Sequence, residues 1–259
     1  MKIVQSNGLV YYRFNIFEPF ERLGHGVFTS QGGYSRPPLG GLNLAFNVLE
    51  DERTTVANMD LVAGTLGFPA LSFTGQVHGD QALVVRAEEG YYPRARSEVR
   101  RGFDALITPD AGLCLALKLA DCQGILLFDP EKNVLALVHS GWRGSVKNVL
   151  GRTVGRLAAD FGVSPADLRA GLSPSLGPCC AEFVNFRDEL PESFWDYRKD
   201  NLFDFWAISR DQLVEAGLRP ENIEISGLCT KCGHEGFYSH RRDKSPGRFG
   251  LAAGLSEEA

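Results

Sequence analysis

Between residues 115 and 145 the chain carries three short runs, 115–119, 125–128 and 134–138, that are apolar except for Lys118. The last stops at a histidine and breaks on glycines, in Leu137-Val138-His139-Ser140-Gly141-Trp142-Arg143-Gly144-Ser145. A run of this length bounded by turn signals reads as a buried strand. From Val146 the apolar positions Val149, Leu150, Val154, Leu157, Ala158 and Phe161 continue a helical stripe that Gly162 closes. A strand, a glycine-bracketed turn and a helix start place His139 and Arg143 on a loop over the carboxyl end of a sheet, where α/β folds commonly bind ligands.

A single histidine ending a strand is more often a packing residue than a ligand. Two further breaks change that reading. Ala120-Asp121-Cys122-Gln123-Gly124 interrupts the apolar runs with a reactive thiol, and Thr74-Gly75-Gln76-Val77-His78-Gly79-Asp80 places a second imidazole before the strand-like stretch 82–85. Imidazole and thiolate are the donors zinc prefers, and three protein ligands leave a fourth position for water or substrate, which suggests a catalytic site.

Taken together, Gln76-Val77-His78-Gly79, Ala120-Asp121-Cys122, His139-Ser140-Gly141-Trp142-Arg143-Gly144, Cys229-Thr230 and Phe237-Tyr238-Ser239-His240-Arg241-Arg242-Asp243 resemble the multicopper polyphenol oxidase (laccase) domain family. That family is also described as purine nucleoside phosphorylases, with one branch described as a peptidoglycan editing factor. The resemblance runs from about Gly26 to Phe249. It implies that His78, Cys122 and His139 bind a metal, zinc most often, with copper possible. Asp121 and Arg143 are the expected catalytic residues, the first as orienter or proton donor and the second as phosphate contact. Gln76, Arg241 and Arg242 are expected at the substrate, as is Asn43 unless it satisfies a turn. The chain departs from the family pattern Thr-Arg-x-Gly-Gly-x-Ser at Ser30, where the arginine should stand.

Composition bounds the rest. The chain has 259 residues, 44% hydrophobic and 23% charged, with net charge −5. This is an ordinary globular balance with no basic field for nucleic acid or an anionic membrane. The start, Met1-Lys2-Ile3-Val4-Gln5-Ser6-Asn7, lacks the apolar core of a signal peptide and no run is long enough to span a bilayer, so a cytoplasmic location is expected. We expect a single domain over 1–259. Six cysteines in such a chain point to metal binding, catalysis or burial rather than disulfides. Cys229-x-x-Cys232 is a half-motif for structural zinc or a redox pair, and Cys179-Cys180 can supply the other ligands. Without a zinc-ribbon pattern in the flanks, a four-cysteine site is not the expected reading.

Elsewhere the spacing predicts a starting strand or hairpin within 1–20, helices over 51–66, 181–190 and 202–218, and a strand over 222–225. The stretch 88–102 reads as a charged, solvated excursion. Helices and hairpin-like strands alternate, so the expected class is α+β with mixed sheets flanked by helices and the metal site on loops at strand ends. The expected activity is phosphorolysis of adenosine, inosine and related nucleosides, with deamination of adenosine beside it, so the partners are a nucleoside and phosphate. The alternatives are a metal-independent Cys/His hydrolase of peptidoglycan precursors, a copper-dependent polyphenol oxidase, and a binding module without turnover. Five histidines are too few for a four-copper oxidase.

Overall fold

The computed structural model describes residues 1–46, 49–233, 236–244 and 247–257. Its strands begin with β1 (Lys2–Ser6), β2 (Leu9–Arg13), β3 (Leu23–Phe28), β4 (Leu71–Ser72), β5 (Ala82–Val84), β6 (Ala105–Thr108) and β7 (Cys114–Leu119). They continue as β8 (Gln123–Asp129), β9 (Val134–Ser140), β10 (Arg169–Leu172), β11 (Arg198–Lys199), β12 (Leu202–Phe203), β13 (Ile223–Ile225) and β14 (Phe249–Leu255). The helices are α1 (Glu52–Thr65), α2 (Trp142–Val146), α3 (Val149–Phe161), α4 (Phe186–Glu189), α5 (Phe205–Glu215) and α6 (His240–Asp243).

The central strands are almost wholly apolar because both of their faces are covered. Successive side chains point to opposite faces, so each run divides between two cores. Leu115, Leu117 and Leu119 of β7 meet Leu126, Phe128, Leu135 and Leu137 of β8 and β9 in one buried cluster. The alternate residues Ile125, Leu127, Ala136 and Val138 face outward onto Leu150, Val154 and Leu157 of α3 and Leu213 of α5. Cys114 and Ala116 of β7 turn the other way, toward Met59, Val62 and Ala63 of α1. The result is two sheets face to face with helices outside them.

One sheet has the order β1-β2-β3-β14-β7-β4 and the other β13-β10-β8-β9-β6-β5. Both are mixed: β4 runs parallel to β7, β5 to β6 and β13 to β10, while the remaining neighbours are antiparallel. The architecture is therefore α+β with mixed sheets and flanking helices, as expected. The chain passes from the first sheet to the second between β4 and β5 and again between β7 and β8. His78 lies in the first crossing and Cys122 in the second.

Several predicted elements are shorter than their spacing suggests. The stripe from Val146 is two helices, because Asn148 takes a left-handed conformation (φ 54°) and caps α3 by accepting the Gly151 N–H. The helix expected from Leu202 starts at Phe205, where the Asp204 carboxylate accepts the Ala207 N–H; Leu202–Phe203 is a strand. Of the helix expected over 181–190 only Phe186–Glu189 forms, since the backbone N–H groups of Phe183 and Phe203 bond across to Asn201 and Ala181 in an extended pairing. At the amino end the expected hairpin forms from β1 and β2, with the adjacent Tyr11 and Tyr12 both buried.

Candidate metal centre and its cavity

The two crossings and the end of β9 converge. Gln123 pairs with Ser140 and Gly124 with His139, so Cys122 arrives at the level of Gly141. A Cβ on Gly141 would lie 2.7 Å from His78 Cδ2 and 3.0 Å from Cys122 Sγ. Only glycine leaves room for both. The donor atoms of His78, Cys122 and His139 lie within 4.8 Å of one another. Cys122 Sγ is 3.7 Å from His78 Nε2, and the two imidazoles are edge to face at 5.0 Å. His139 is not on a loop, as its sequence context suggests, but within β9 near its end, and it is 3% exposed.

Asp104, which the sequence reading did not single out, fixes this arrangement. It is fully buried and immediately precedes β6. Its Oδ1 accepts from His78 N–H at 2.8 Å and sits 2.8 Å from His139 Nδ1; its Oδ2 accepts from Gly79 N–H at 2.7 Å and Val77 N–H at 3.2 Å. One carboxylate thus shapes the turn carrying His78 and orients the His139 ring so that Nε2 is left for a ligand. The only local hint of this role is an acid directly before a fully buried strand.

Both crossings are strained and both are tied down. His78 has φ 60° and Asp121 φ 84°, values uncommon outside glycine. Asp121 Oδ1 accepts from Thr230 Oγ1 at 2.6 Å and Oδ2 from Arg241 N–H at 2.7 Å. Its carboxylate fastens the Cys122 turn to the carboxyl-terminal segment. The Gln76 side chain pairs with both backbone groups of Lys118, its Nε2 donating to the carbonyl and its Oε1 accepting the N–H, each at 3.0 Å. It continues the sheet edge where β4 ends.

The electrostatics favour a thiolate beside a charged imidazole. Burial alone would raise the Cys122 thiol, but His139 and then His78 outweigh it and bring it down to about 6. Burial likewise opposes charge on His139, yet Cys122 and Asp104 raise it to about 9. The Asp104 carboxyl is pushed up by burial and, more strongly, held down by His139 and the amides of Gly79 and Val77.

His78, Cys122 and His139 form the floor of a cavity of about 740 Å³. Phe46, Trp142, Phe183 and Phe205 supply aromatic wall, and Arg96, Arg101, Lys118, Arg143, Arg241 and Arg248 supply cationic wall. Among the described residues Asp121 is the one carboxylate on that wall. Arg143 lines it, stacked 4.0 Å over its own neighbour Trp142. Arg241 lines it too, with its guanidinium on the Glu182 carbonyl and 5.6 Å from the Phe183 ring. Lys118 donates to the Thr74 carbonyl at 2.8 Å, and burial, with Arg101 and Arg248 nearby, lowers it to about 7. Sequence reasoning missed Lys118, and it took Arg96 and Arg101 for part of a solvated excursion.

Two expected substrate contacts lie elsewhere. Asn43 is fully buried and absent from the cavity wall; it bonds Ala45, Glu50 and the Arg248 N–H, because a buried amide must satisfy its polar groups locally. Arg242 donates to the carbonyls of Thr230 and Phe237 and to Asp243, bracing the segment behind the wall. The Ser30 hydroxyl donates to the Gly236 carbonyl at 3.2 Å and is not on the wall either.

Residues 24–256 match the family model described as multi-copper polyphenol oxidoreductase laccase. The chain is 32% identical over 254 residues to purine nucleoside phosphorylase YlmD of Geobacillus stearothermophilus, covering 93% of each chain. It is 34% identical over 234 residues to a purine nucleoside phosphorylase of Xylella fastidiosa, covering 85% of this chain and 87% of that one. The crystal structure of YlmD from Geobacillus stearothermophilus superposes with a TM-score of 0.87 at 29% identity, over 98% of both chains. The arrangement of His78, Cys122 and His139 thus sits in a fold and sequence shared along nearly the whole length, and the chain belongs to the multi-copper polyphenol oxidoreductase laccase family.

Proposed function

We propose that this chain is a zinc-dependent purine nucleoside phosphorylase that also deaminates adenosine. The observation that carries the reading is one cavity with three metal-type donors on its floor, aromatic groups for a purine and cationic groups for an anion on its walls. His78, Cys122 and His139 would hold the metal. Zinc supplies Lewis acidity when bound to such a set. Asp104 keeps His139 in one orientation. Trp142 and the phenylalanines offer faces for a flat base, while Arg143, Lys118 and Arg248 bring positive charge for phosphate. Asp121, whose two oxygens hold Thr230 and Arg241, acts as an orienter rather than a proton donor in this scheme.

The test is adenosine and inosine turnover with and without inorganic phosphate, following free base, ribose 1-phosphate and ammonia. We expect base release only with phosphate and ammonia release from adenosine without it. Equal turnover by wild type and His78→Ala would remove the metal centre from the reaction. Copper is the other metal this donor set accepts, and the metal content of purified protein decides between them.

A second reading has its own support: the lowered Cys122 thiol, with His139 oriented by Asp104 at 2.8 Å, suits a thiol hydrolase acting on amides of peptidoglycan precursors. Loss of activity on alkylating Cys122 in metal-free, active protein would favour it.

A further inference from the structure

Away from the cavity floor, four thiols from two distant stretches meet. The donor atoms of Cys179, Cys180, Cys229 and Cys232 lie within 4.8 Å of one another. Cys179 and Cys180 follow β10 on the loop 176–181; Cys229 and Cys232 sit in the turn after β13. The turn 229–233 has features that favour a bound cation. Cys229 is buried, and its sulfur accepts the Gly177 N–H at 3.3 Å and backbone N–H groups of Lys231 and Cys232. Amides aimed at a sulfur stabilise it as a thiolate. Gly233 closes the turn by donating to the Cys229 carbonyl at 2.9 Å, so tightly that a Cβ there would stand 2.8 Å from that oxygen.

A disulfide accounts for less of this. Cys179 and Cys232 are 3.3 Å apart, sulfur to sulfur, against ~2.05 Å for a bond. Joining them would leave Cys180 and the amide-ringed Cys229 unused. Zinc–sulfur bonds of ~2.3 Å at tetrahedral angles put sulfurs about 3.8 Å apart, a spacing this cluster can meet with small movements.

We propose that Cys179, Cys180, Cys229 and Cys232 together bind one structural zinc ion, distinct from the His78, Cys122 and His139 centre. The ion would replace the thiol protons it displaces and fasten the 176–181 loop to the carboxyl-terminal segment. Both joined pieces serve the cavity: Leu176 and Ala181 line it, the Leu176 N–H donates to the Asp121 carbonyl, and Thr230 holds the Asp121 carboxylate. The site is therefore a clamp behind the wall.

The proposal does not depend on the activity assigned to the cavity, and the test separates the two. Cys122→Ala protein, purified under reducing, oxygen-free conditions, is analysed for zinc by mass spectrometry and by X-ray absorption at the zinc edge; His78→Ala replaces it if it does not fold. We expect about one zinc per chain bound to four sulfurs at ~2.3 Å. Zinc-free protein, zinc with nitrogen or oxygen ligands, or a Cys179–Cys232 disulfide in that preparation would overturn the proposal. Cys232→Ser in the same background should lose the zinc; full retention with four sulfurs would overturn it as well. Wild type holding only the four-sulfur zinc would support the clamp and count against the cavity-floor metal.

Discussion

His25 and His139 are both buried, one in each sheet, at 0% and 3% exposure, and their electrostatics are opposite. Among the described residues His25 on β3 hydrogen-bonds to backbone groups: Nε2 accepts the Phe14 N–H at 3.0 Å and Nδ1 lies 3.3 Å from the Leu23 carbonyl. Phe14 and Phe17 flank its ring at 6.0 and 5.2 Å. Burial lowers it to about 4, so it is neutral at physiological pH. His139 experiences the same penalty, but Cys122 and Asp104 reverse it. Burial sets the cost of charge; the partners decide whether a histidine serves packing or chemistry.

The largest test of this contrast is His139→Ala against His25→Gln. We expect the first to lose floor-bound metal and nucleoside turnover by on the order of 10³-fold, since a metal's charge stabilisation amounts to several kcal/mol. Folded His25→Gln protein should keep its turnover. A comparable loss in both would mean that His25 is not a packing residue.

The next is pH. Because His25 is neutral in the folded state down to about 4 and protonates near 6.5 when unfolded, the unfolded chain binds more protons between those values. Its contribution is fully present above 6.5 and is lost as pH falls toward 4, by roughly 3 kcal/mol. Urea unfolding of wild type and His25→Gln at pH 7 and pH 4.5 checks this; parallel losses in the two proteins would break the comparison.

Asp104→Asn should weaken metal binding by about 10- to 100-fold, the usual cost of losing such an outer partner. Competition against a chromophoric chelator reads it. Unchanged affinity would show that His139 needs no carboxylate to differ from His25.

The smallest effect concerns Lys118, which burial brings to about 7. It is charged below that pH and neutral above it, so the KM for phosphate should rise by several-fold or less from pH 6 to pH 8. That part of the rise should vanish in Lys118→Met. An identical profile in the variant would remove Lys118 from the anion site.

Much of this molecule is legible along the chain. Apolar runs mark β7, β8 and β9 because a strand covered on both faces needs no polar side, and Gly162 marks the end of α3 because a left-handed residue closes it there (φ 65°). The ligand types and glycine breaks pick out His78, Cys122 and His139. Yet His25, between Gly24 and Gly26, carries the same local signature, and nothing near it in sequence tells the two roles apart. That distinction comes from Asp104, 35 residues from His139 and brought into hydrogen-bond contact with it by the pairing of β6 with β9. The fate of Asn43, the cationic wall of Arg101 and Lys118, and the meeting of Cys179 with Cys232 across 53 residues have the same origin. Periodicity and turn chemistry act over a few residues and survive in the sequence, whereas convergence depends on sheet register and on where the chain crosses between layers, which only the folded packing fixes.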